Sequence, residues 1–306
     1  MQQTLALLRD LAYEAPSPDQ RARAIDHLGG LDDLDVLSTA LEYAHSHHII
    51  SREASEGLQL QRAARLTRRP WVNPTDGSQL VWIAPGRFIA GHGGLKRALT
   101  LPGFALAVHP VTNRQFARFV AAVGYSPPSW HPSSGGFLSH WTAGACPEEL
   151  LDHPVVNVSW VDAQAYCRWA GLALPTASMW EKAARGVGGA PYPWGRAEPS
   201  PELAHVGADT TCPVGSFPRT RTAYGCQDML GNVSEWCALG DSPQDNALLD
   251  LDDKGTLPTH GLCKGSNFQQ TSNNLDRMSC AHEQSPPVTR RANWLGFRPA
   301  FTGLSR

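Results

Sequence analysis

Apolar residues recur at helical spacing in four short runs over the first seventy residues. The runs are carried by Leu5, Leu8, Leu11 and Ala12; by Ala22, Ile25 and Leu28; by Leu34, Leu37, Leu41 and Ala44; and by Leu58, Ala63 and Leu66. Pro16 and Pro18 end the first run, and Gly29-Gly30 ends the second. Three or four helices of this size cannot enclose a core alone. We therefore expect residues 1–70 to be a helical segment that docks on the rest of the chain or on a partner.

From residue 71 onward the pattern changes to brief apolar runs separated by turn residues. It predicts two strands on either side of a Pro-Gly turn and three helices: strands 81–83 and 87–90, and helices that begin at Thr112, span Asp162–Ala170 and span Thr176–Arg185. The rest, from Gly186 onward, reads mostly as loop. Residues 71–306 are thus predicted to form a loop-rich domain with short strands and three helices, whose long loops need a tight polar network or bound ions.

Composition narrows the class of protein. The 306 residues are 42% hydrophobic and 18% charged, which is typical of a globular protein. A net charge of −2 gives no basic surface for nucleic acid, and no apolar run is long enough to predict a membrane span. Because no secretory signal precedes the first run, we expect a cytoplasmic location. Four of the ten tryptophans are interpreted as core anchors: Trp160, Trp169, Trp180 and Trp194.

Cysteine and histidine give weaker signals. The seven cysteines are an odd number and form no Cys-x-x-Cys pair, so zinc-ribbon and thioredoxin-type sites are excluded; inert thiols, one bridge or a reactive pair stay open. His45, His47 and His48 end a predicted helix, where histidine favours the helix dipole. A metal site is the alternative for this cluster, although it lacks the pairing of histidines four residues apart.

Nine short motifs follow one another in the second part of the chain. They are His109-Pro110-Val111-Thr112-Asn113, His153-Pro154-Val155-Val156-Asn157-Val158-Ser159-Trp160, Asp162-Ala163-Gln164-Ala165-Tyr166-Cys167, Leu174-Pro175-Thr176-Ala177, Trp180-Glu181-Lys182-Ala183-Ala184-Arg185-Gly186, Tyr192-Pro193-Trp194-Gly195, Asp228-Met229-Leu230-Gly231-Asn232-Val233-Ser234-Glu235-Trp236, Lys264-Gly265-Ser266 and Leu295-Gly296-Phe297-Arg298. In this order, residues 78–303 resemble the formylglycine-generating enzyme (sulfatase-modifying factor) family. The resemblance implies a C-type-lectin-like α+β fold, preceded here by the helical segment.

The resemblance also implies a copper site that this chain does not reproduce. Active members oxidise a substrate cysteine with O2 at Cu(I) held by two cysteines, which as soft ligands select that ion. By register those two positions fall at Gln269 or Gln270 and near Leu275. Cys280 aligns with a structural cysteine rather than with the pair. We therefore expect no formylglycine generation and no copper.

The alternative function is oxidative chemistry at a metal ion that is held by ligands other than a cysteine pair. The family's hercynine-type sulfoxide synthases hold iron on a separate helical domain with a His-x3-His-x-Glu pattern, which residues 1–70 do not contain. An O2-dependent oxidase or oxygenase acting on a peptide or natural product would need another cluster. Six histidines are the candidates for it: His109, His131, His140, His153, His260 and His282.

One metal site of the family does carry over. The resemblance implies a structural Ca2+ bound by the side chains of Asp228 and Glu235 and by the backbone carbonyls of Gly231 and Val233. This oxygen-only set suits a hard cation. The alternative is a turn in which Asp228 caps and Glu235 faces solvent. The family's second Ca2+ site is expected to be lost, since His205 replaces its asparagine.

The C-terminal stretch is predicted to bind a ligand. Polar and aromatic residues lie where the family has its catalytic and substrate-contacting residues: Ser266, Asn267, Phe268, Gln269, Gln270, Asn273, Arg277, His282, Asn293 and Trp294. Amides and guanidinium groups suit recognition better than redox chemistry. Retroelement-diversified variable proteins of the same fold carry an asparagine-rich binding surface here and end it with Gly-Phe-Arg. We expect a protein or small-molecule ligand at this surface, with ordinary solvated loops as the alternative, and expect Arg298 to bind buried carboxylate or carbonyl groups.

Overall fold

The computed structural model describes residues 70–128, 136–240, 258–271 and 277–301, together with Ala40, Tyr43, Ala44 and His47. In these ranges the strands are β1 (Trp71–Val72), β2 (Gln79–Ile83), β3 (Gly86–Ala90), β4 (Arg97–Leu101), β5 (Phe104–Ala107), β6 (Ser234–Cys237), β7 (Leu262–Lys264), β8 (Glu283–Gln284), β9 (Leu295–Phe297) and β10 (Ala300–Phe301). The α-helices are α1 (Asn113–Val123), α2 (Trp160–Trp169) and α3 (Ala177–Arg185). The predicted α+β class is confirmed. The apolar runs predicted before residue 70 lie outside the described residues, apart from the four named here.

Three small sheets build the domain. The first has the order β1-β2-β5-β10, the second pairs β3 with β4, and the third has the order β8-β7-β6-β9. The strands predicted around the Pro-Gly turn are present as β2 and β3, but they belong to different sheets. In the third sheet β6 is antiparallel to β7 and parallel to β9. Glu235 on β6 therefore lies next to the C-terminal strand that leads to Arg298.

Local capping explains where the three helices begin. Thr112 and Gln115 form a capping box at α1, and Thr176 accepts a hydrogen bond from the Met179 amide at α3. Both starts agree with the prediction. Helix α2 begins two residues before the predicted Asp162, because Ser159 is its N-cap and Asp162 closes the capping box from the third helical position. Ser159 also bonds the Asp162 carboxylate through its own amide, at 2.7 Å.

Aromatic residues fill the core between the helices and the sheets. Trp160 and Trp180 are fully buried, as predicted for core anchors, and Trp236 joins them. Each indole N–H is satisfied: Trp160 donates to the Cys237 carbonyl, Trp236 to the Val158 carbonyl and Trp180 to the Glu235 carboxylate. Trp169 and Trp194 are only partly buried and lie at the margins of the packed clusters.

The described residues also answer two questions raised by the sequence, membrane spans and the state of the cysteines. No helix among the described residues is long and apolar enough to cross a membrane. All seven cysteines are free thiols, and five of them are buried. Burial raises the pKa of the Cys280 thiol to about 12 and that of Cys226 to about 11, so these thiols are protonated at neutral pH.

Candidate functional site

The beginning of the predicted ligand-binding stretch is buried rather than exposed. Ser266, Asn267 and Phe268 are each no more than 3% exposed. The Ser266 hydroxyl accepts from the Gly231 amide at 3.2 Å, and Asn267 Nδ2 donates to the Ser234 hydroxyl at 3.2 Å. The prediction that these three side chains face a ligand is corrected, because their groups are used inside the domain. Sequence reasoning missed this because the partners lie about 33 residues away.

Ser266, Asn267 and Phe268 form a buried floor, and the accessible residues of the predicted surface follow it in the chain. Gln269 is exposed, Gln270 is half-buried and Arg277 is exposed, whereas Asn273 lies outside the described residues. The floor holds them in place: Asn267 Oδ1 accepts from the Gln269 amide at 3.1 Å, and the Gln270 carbonyl accepts from the Gly207 amide at 2.8 Å. The loop thus presents amide and guanidinium groups on a hydrogen-bonded support.

Two side-chain atoms near this loop are buried without a hydrogen-bond partner among the described residues. They are Gln270 Oε1 and His282 Nε2. Burial lowers the pKa of His282, and the charges of Arg277 and Lys264 lower it further. At neutral pH the imidazole therefore offers one donor and one acceptor. Because a buried polar group without a partner costs about 1–3 kcal/mol, a ligand that bonds these atoms would gain affinity from them.

Asn293 and Trp294 differ in accessibility. Asn293 is exposed, whereas Trp294 is partly buried and packs against the main core cluster. The Trp294 carbonyl accepts from the Ser234 amide at 2.9 Å, and Ser234 in turn contacts Asn267. The two ends of the predicted surface are thus tied to one strand. Asn293 is available to a ligand, while Trp294 also supports the fold.

A buried ion cluster lies behind the loop. Lys264, which precedes Gly265, is fully buried and donates to Glu181 Oε2 at 3.0 Å and to Glu283 Oε1 at 3.3 Å. Arg185 pairs with the other oxygen of Glu181 at 2.6 Å. The cluster fixes strand β7 against helix α3, so the loop that leaves β7 starts from a rigid anchor.

The segment predicted to bind Ca2+ is occupied by a side chain of the chain itself. Arg298 forms a bidentate pair with Glu235, from Nε to Oε2 and from Nη2 to Oε1, both at 2.7 Å. Both side chains are fully buried. Trp180 Nε1 also donates to Glu235 Oε2 at 2.7 Å. The prediction that Arg298 binds a buried carboxylate and carbonyls is confirmed, and the reading in which Glu235 faces solvent is wrong.

Asp228 lies at the other end of this segment. Its backbone adopts the left-handed region with φ 54°, and its Oδ2 accepts from the Gly215 amide at 2.7 Å. Burial raises the pKa of Asp228, against the opposing effects of that hydrogen bond and of Arg298. Arg298 Nη2 also donates to the Asp228 carbonyl at 3.2 Å. A carboxylate such as that of Asp228 is a ligand type that Ca2+ prefers, but an ion here would have to share Glu235 with a guanidinium that already neutralises it.

The histidines proposed for an alternative metal site do not converge. His140 Nε2 bonds Asn113 Oδ1 at 2.8 Å, His153 Nδ1 bonds the Thr211 hydroxyl at 2.9 Å, and His260 contacts its neighbour Thr259. Among residues 70–128, 136–240, 258–271 and 277–301, no three His, Cys, Asp or Glu side chains are grouped as metal ligands. His131 lies outside these ranges.

A pocket that sequence reasoning missed lies beside the N-terminus of helix α1. Its volume is about 280 Å³. It is lined by the turn at residues 76–79, by Ala107, His109 and Pro110, by the first turns of α1 from Thr112 to Arg118, and by Val214. The first and last of these residues, Asp76 and Val214, lie far apart in the chain, and no motif spans them.

With the fold and these sites described, the chain can be assigned to a class. Residues 68–302 match the sulfatase-modifying factor enzyme 1-like domain, so the chain belongs to that family. It is 37% identical over 254 residues to a hercynine oxygenase of Mycolicibacterium smegmatis, an alignment that covers 71% of this chain and 59% of that protein. It is 34% identical over 193 residues to a formylglycine-generating enzyme of Mycobacterium tuberculosis, covering 45% of this chain and 64% of the relative. The chain thus spans about three fifths of these relatives.

Solved structures support the fold. PvdO from Pseudomonas aeruginosa superposes with a TM-score of 0.57 at 20% identity, covering 76% of this chain and 97% of that one. Treponema denticola variable protein 1 superposes with a TM-score of 0.55 at 17% identity, covering 76% and 98%. The predicted C-type-lectin-like fold of the formylglycine-generating enzyme family is confirmed. The relatives include an inactive formylglycine-generating enzyme 2 of Mus musculus, 32% identical over 213 residues and covering 52% of this chain and 68% of the relative.

Proposed function

We propose that this chain is a binding member of the family, which recognises a protein or a small ligand through its C-terminal loop surface and does not make formylglycine. One observation carries the proposal. Where the family resemblance puts two thiolates for Cu(I), this chain has Gln269 or Gln270 and Leu275. An amide or an alkyl side chain is not a ligand for that soft ion.

The geometry of the loop supports recognition. Gln269 and Arg277 are exposed, and the Asn267 side chain holds the Gln269 amide, so the backbone at Gln269 is ordered before a ligand docks. Gln270 Oε1 and His282 Nε2 are buried without a partner among the described residues, so a polar ligand that draws these side chains outward would satisfy them. Asn293 is exposed as well, and the carbonyl of its neighbour Trp294 accepts from the Ser234 amide at the start of β6.

The loss of chemistry is tested directly. The protein is loaded anaerobically with Cu(I), mixed with a Cys-x-Pro-x-Arg peptide and exposed to O2, and the peptide is followed by mass spectrometry. We expect its cysteine to stay unmodified. Conversion to formylglycine at catalytic turnover would contradict the proposal.

The binding surface is tested by photo-crosslinking. A photoreactive amino acid replaces Gln269, and a matched variant carries it at Leu95, which is 76% exposed in the short helical turn between β3 and β4. We expect a specific adduct in cells from position 269 alone, and we expect Arg277→Ala in the same chain to weaken it. Equal labelling from both positions, or labelling insensitive to Arg277→Ala, would contradict a binding surface at this loop.

An O2-dependent oxidase or oxygenase is the second candidate, favoured by the similarity to a hercynine oxygenase. It needs metal ligands other than a cysteine pair. The protein is loaded anaerobically with Fe(II) or with Cu(I), dialysed and analysed for bound metal and for O2 consumption. Stoichiometric retention of either ion with O2 uptake would favour this candidate over the binding proposal.

Two accessory proposals complete the functional picture. A structural Ca2+ at Asp228 would add a counter-ion to a buried carboxylate whose pKa burial already raises. A cytoplasmic location suits a chain with seven free cysteines, because thiols stay reduced there. The first is tested by the response to chelators described below, and the second by cell fractionation.

A further inference from the structure

We propose that the pocket beside the N-terminus of helix α1 is a second binding site, which takes a small organic anion between Arg114 and Arg118. The two arginines are four residues apart in α1 and both line the pocket. At this spacing two side chains lie on one face of a helix, where like charges repel each other. Asp152 already pairs with Arg114, so an anion held between the two arginines would chiefly neutralise Arg118.

The two guanidinium groups differ in how they are neutralised. Arg114 donates from Nε and Nη2 to the two oxygens of Asp152, at 3.0 and 3.2 Å, which leaves its Nη1 for another acceptor. Arg118 has no carboxylate within ion-pair distance among the described residues. Its guanidinium lies over the turn at Gly77, where a β-carbon would be 3.5 Å from Nη1. Arg118 is therefore the principal cation offered to a ligand.

The other ionisable residues that line the pocket are Asp76 and His109, and neither forms an ion pair with Arg114 or Arg118 among the described residues. Asp76 is fully buried, and its oxygens accept from the Ser78 amide, the Ser78 hydroxyl and the Tyr166 hydroxyl at 2.9, 2.6 and 2.7 Å. The carboxylate is thus turned into the domain. Burial, assisted by the charge of Arg298, lowers the pKa of His109 to about 4, so the imidazole is neutral at physiological pH.

The shape of the pocket indicates the class of ligand. A volume of about 280 Å³ admits a small molecule, and Ala107, Pro110 and Val214 give it an apolar side. Guanidinium groups bind carboxylates and phosphates through paired hydrogen bonds. The site is therefore suited to a carboxylate or phosphate head with a short carbon body, and it shares no residue with the C-terminal loop surface.

The experiment is a calorimetric titration with two probes, inorganic phosphate and butyrate, at constant ionic strength. We expect saturable binding of at least one of them, weakened at least about tenfold by Arg118→Gln. Arg97→Gln removes the same charge from an exposed position on β4 and should leave binding unchanged. Arg118→Lys keeps the charge without the planar fork and should give an intermediate affinity. Because Arg118 is exposed, thermal unfolding should be the same for all variants.

Each outcome decides the proposal. Binding of phosphate alone, of butyrate alone or of both supports the site and identifies its preferred head group, provided that Arg118→Gln weakens it. The proposal is overturned if neither probe binds saturably, or if Arg118→Gln and Arg97→Gln weaken binding equally, since the effect would then come from net charge alone.

Discussion

Replacing Glu235 by glutamine should destabilise the domain more than any exposed charge substitution. Glutamine at this position offers one acceptor where the carboxylate accepts three hydrogen bonds, two from Arg298 and one from Trp180. It also leaves Arg298 as a fully buried cation without its carboxylate. Removing one member of a buried ion pair costs about 3–5 kcal/mol, because the remaining charge is desolvated and uncompensated. We expect Glu235→Gln to fall in that range.

The chain supplies a matched control for this experiment. Arg114 and Asp152 form an arginine–carboxylate pair of the same chemistry at 3.0 Å, but their side chains are 47% and 66% exposed. Water already solvates both charges, so Arg114→Met should cost less than about 1 kcal/mol. The two pairs share the arginine–carboxylate chemistry and differ most in burial.

Urea unfolding followed by tryptophan fluorescence measures both free energies of unfolding. Where Glu235→Gln is too unstable to purify, the double variant Glu235→Gln/Arg298→Met tests the same reasoning, since removing the uncompensated cation should restore a protein that can be purified. A cost for Glu235→Gln within about 1 kcal/mol of that for Arg114→Met would refute the reasoning.

Three more predictions follow from the same structure. Burial is the main cause that lowers the pKa of both His109 and His140 from 6.5 to about 4, so below pH 6.5 the unfolded chain binds protons that the folded chain does not. The free energy of unfolding should therefore fall between about pH 6.5 and pH 4, by about 1–2 kcal/mol per imidazole after allowance for partial exposure. Urea titrations at several pH values should show a flatter pH dependence for His140→Gln. If free Ca2+ is present at about 100 times its Kd, a chelator should lower the free energy of unfolding by about 2.7 kcal/mol and lower the Tm, and Asp228→Ala should abolish that response. A Tm that the chelator does not change would contradict a Ca2+ site at Asp228. Gly231→Ala should destabilise by more than about 2 kcal/mol in the same urea assay, because φ is 84° and a β-carbon would lie 2.8 Å from the His205 carbonyl oxygen; a cost below about 0.5 kcal/mol would contradict this.

Local chemistry made part of the fold predictable. Thr112 and Thr176 cap the helices that follow them, and the cap, the first turn and the apolar stripe all lie within a few residues. The start of α2 was misplaced because Asp162 was read as the first helical residue, whereas it bonds back to Ser159. Where a structure depends on neighbours in the chain, its sequence carries the signal.

Contacts between distant residues could not be predicted in the same way. Ser266 and Asn267 have polar side chains typical of surface loops, but their partners are about 33 residues earlier in the chain. Arg298 was predicted to bind a buried carboxylate or carbonyls, yet its partner Glu235 was assigned to Ca2+. The sequence thus predicts that Arg298 binds an anionic or carbonyl group, but which residue it pairs with depends on the folded backbone. For the same reason the pocket at Arg118 was not foreseen.

The pairing of β10 with β5 has a consequence for synthesis. Ala300 pairs with Leu106, and Arg298 donates to the carbonyls of Ala107 and Val108, residues separated by about 190 positions. The first sheet of the domain is therefore incomplete until residue 301 has left the ribosome. Residues 71–299 should stay exposed to chaperones until β10 has been synthesised, and a bulky insertion directly behind Phe301 should slow this closure.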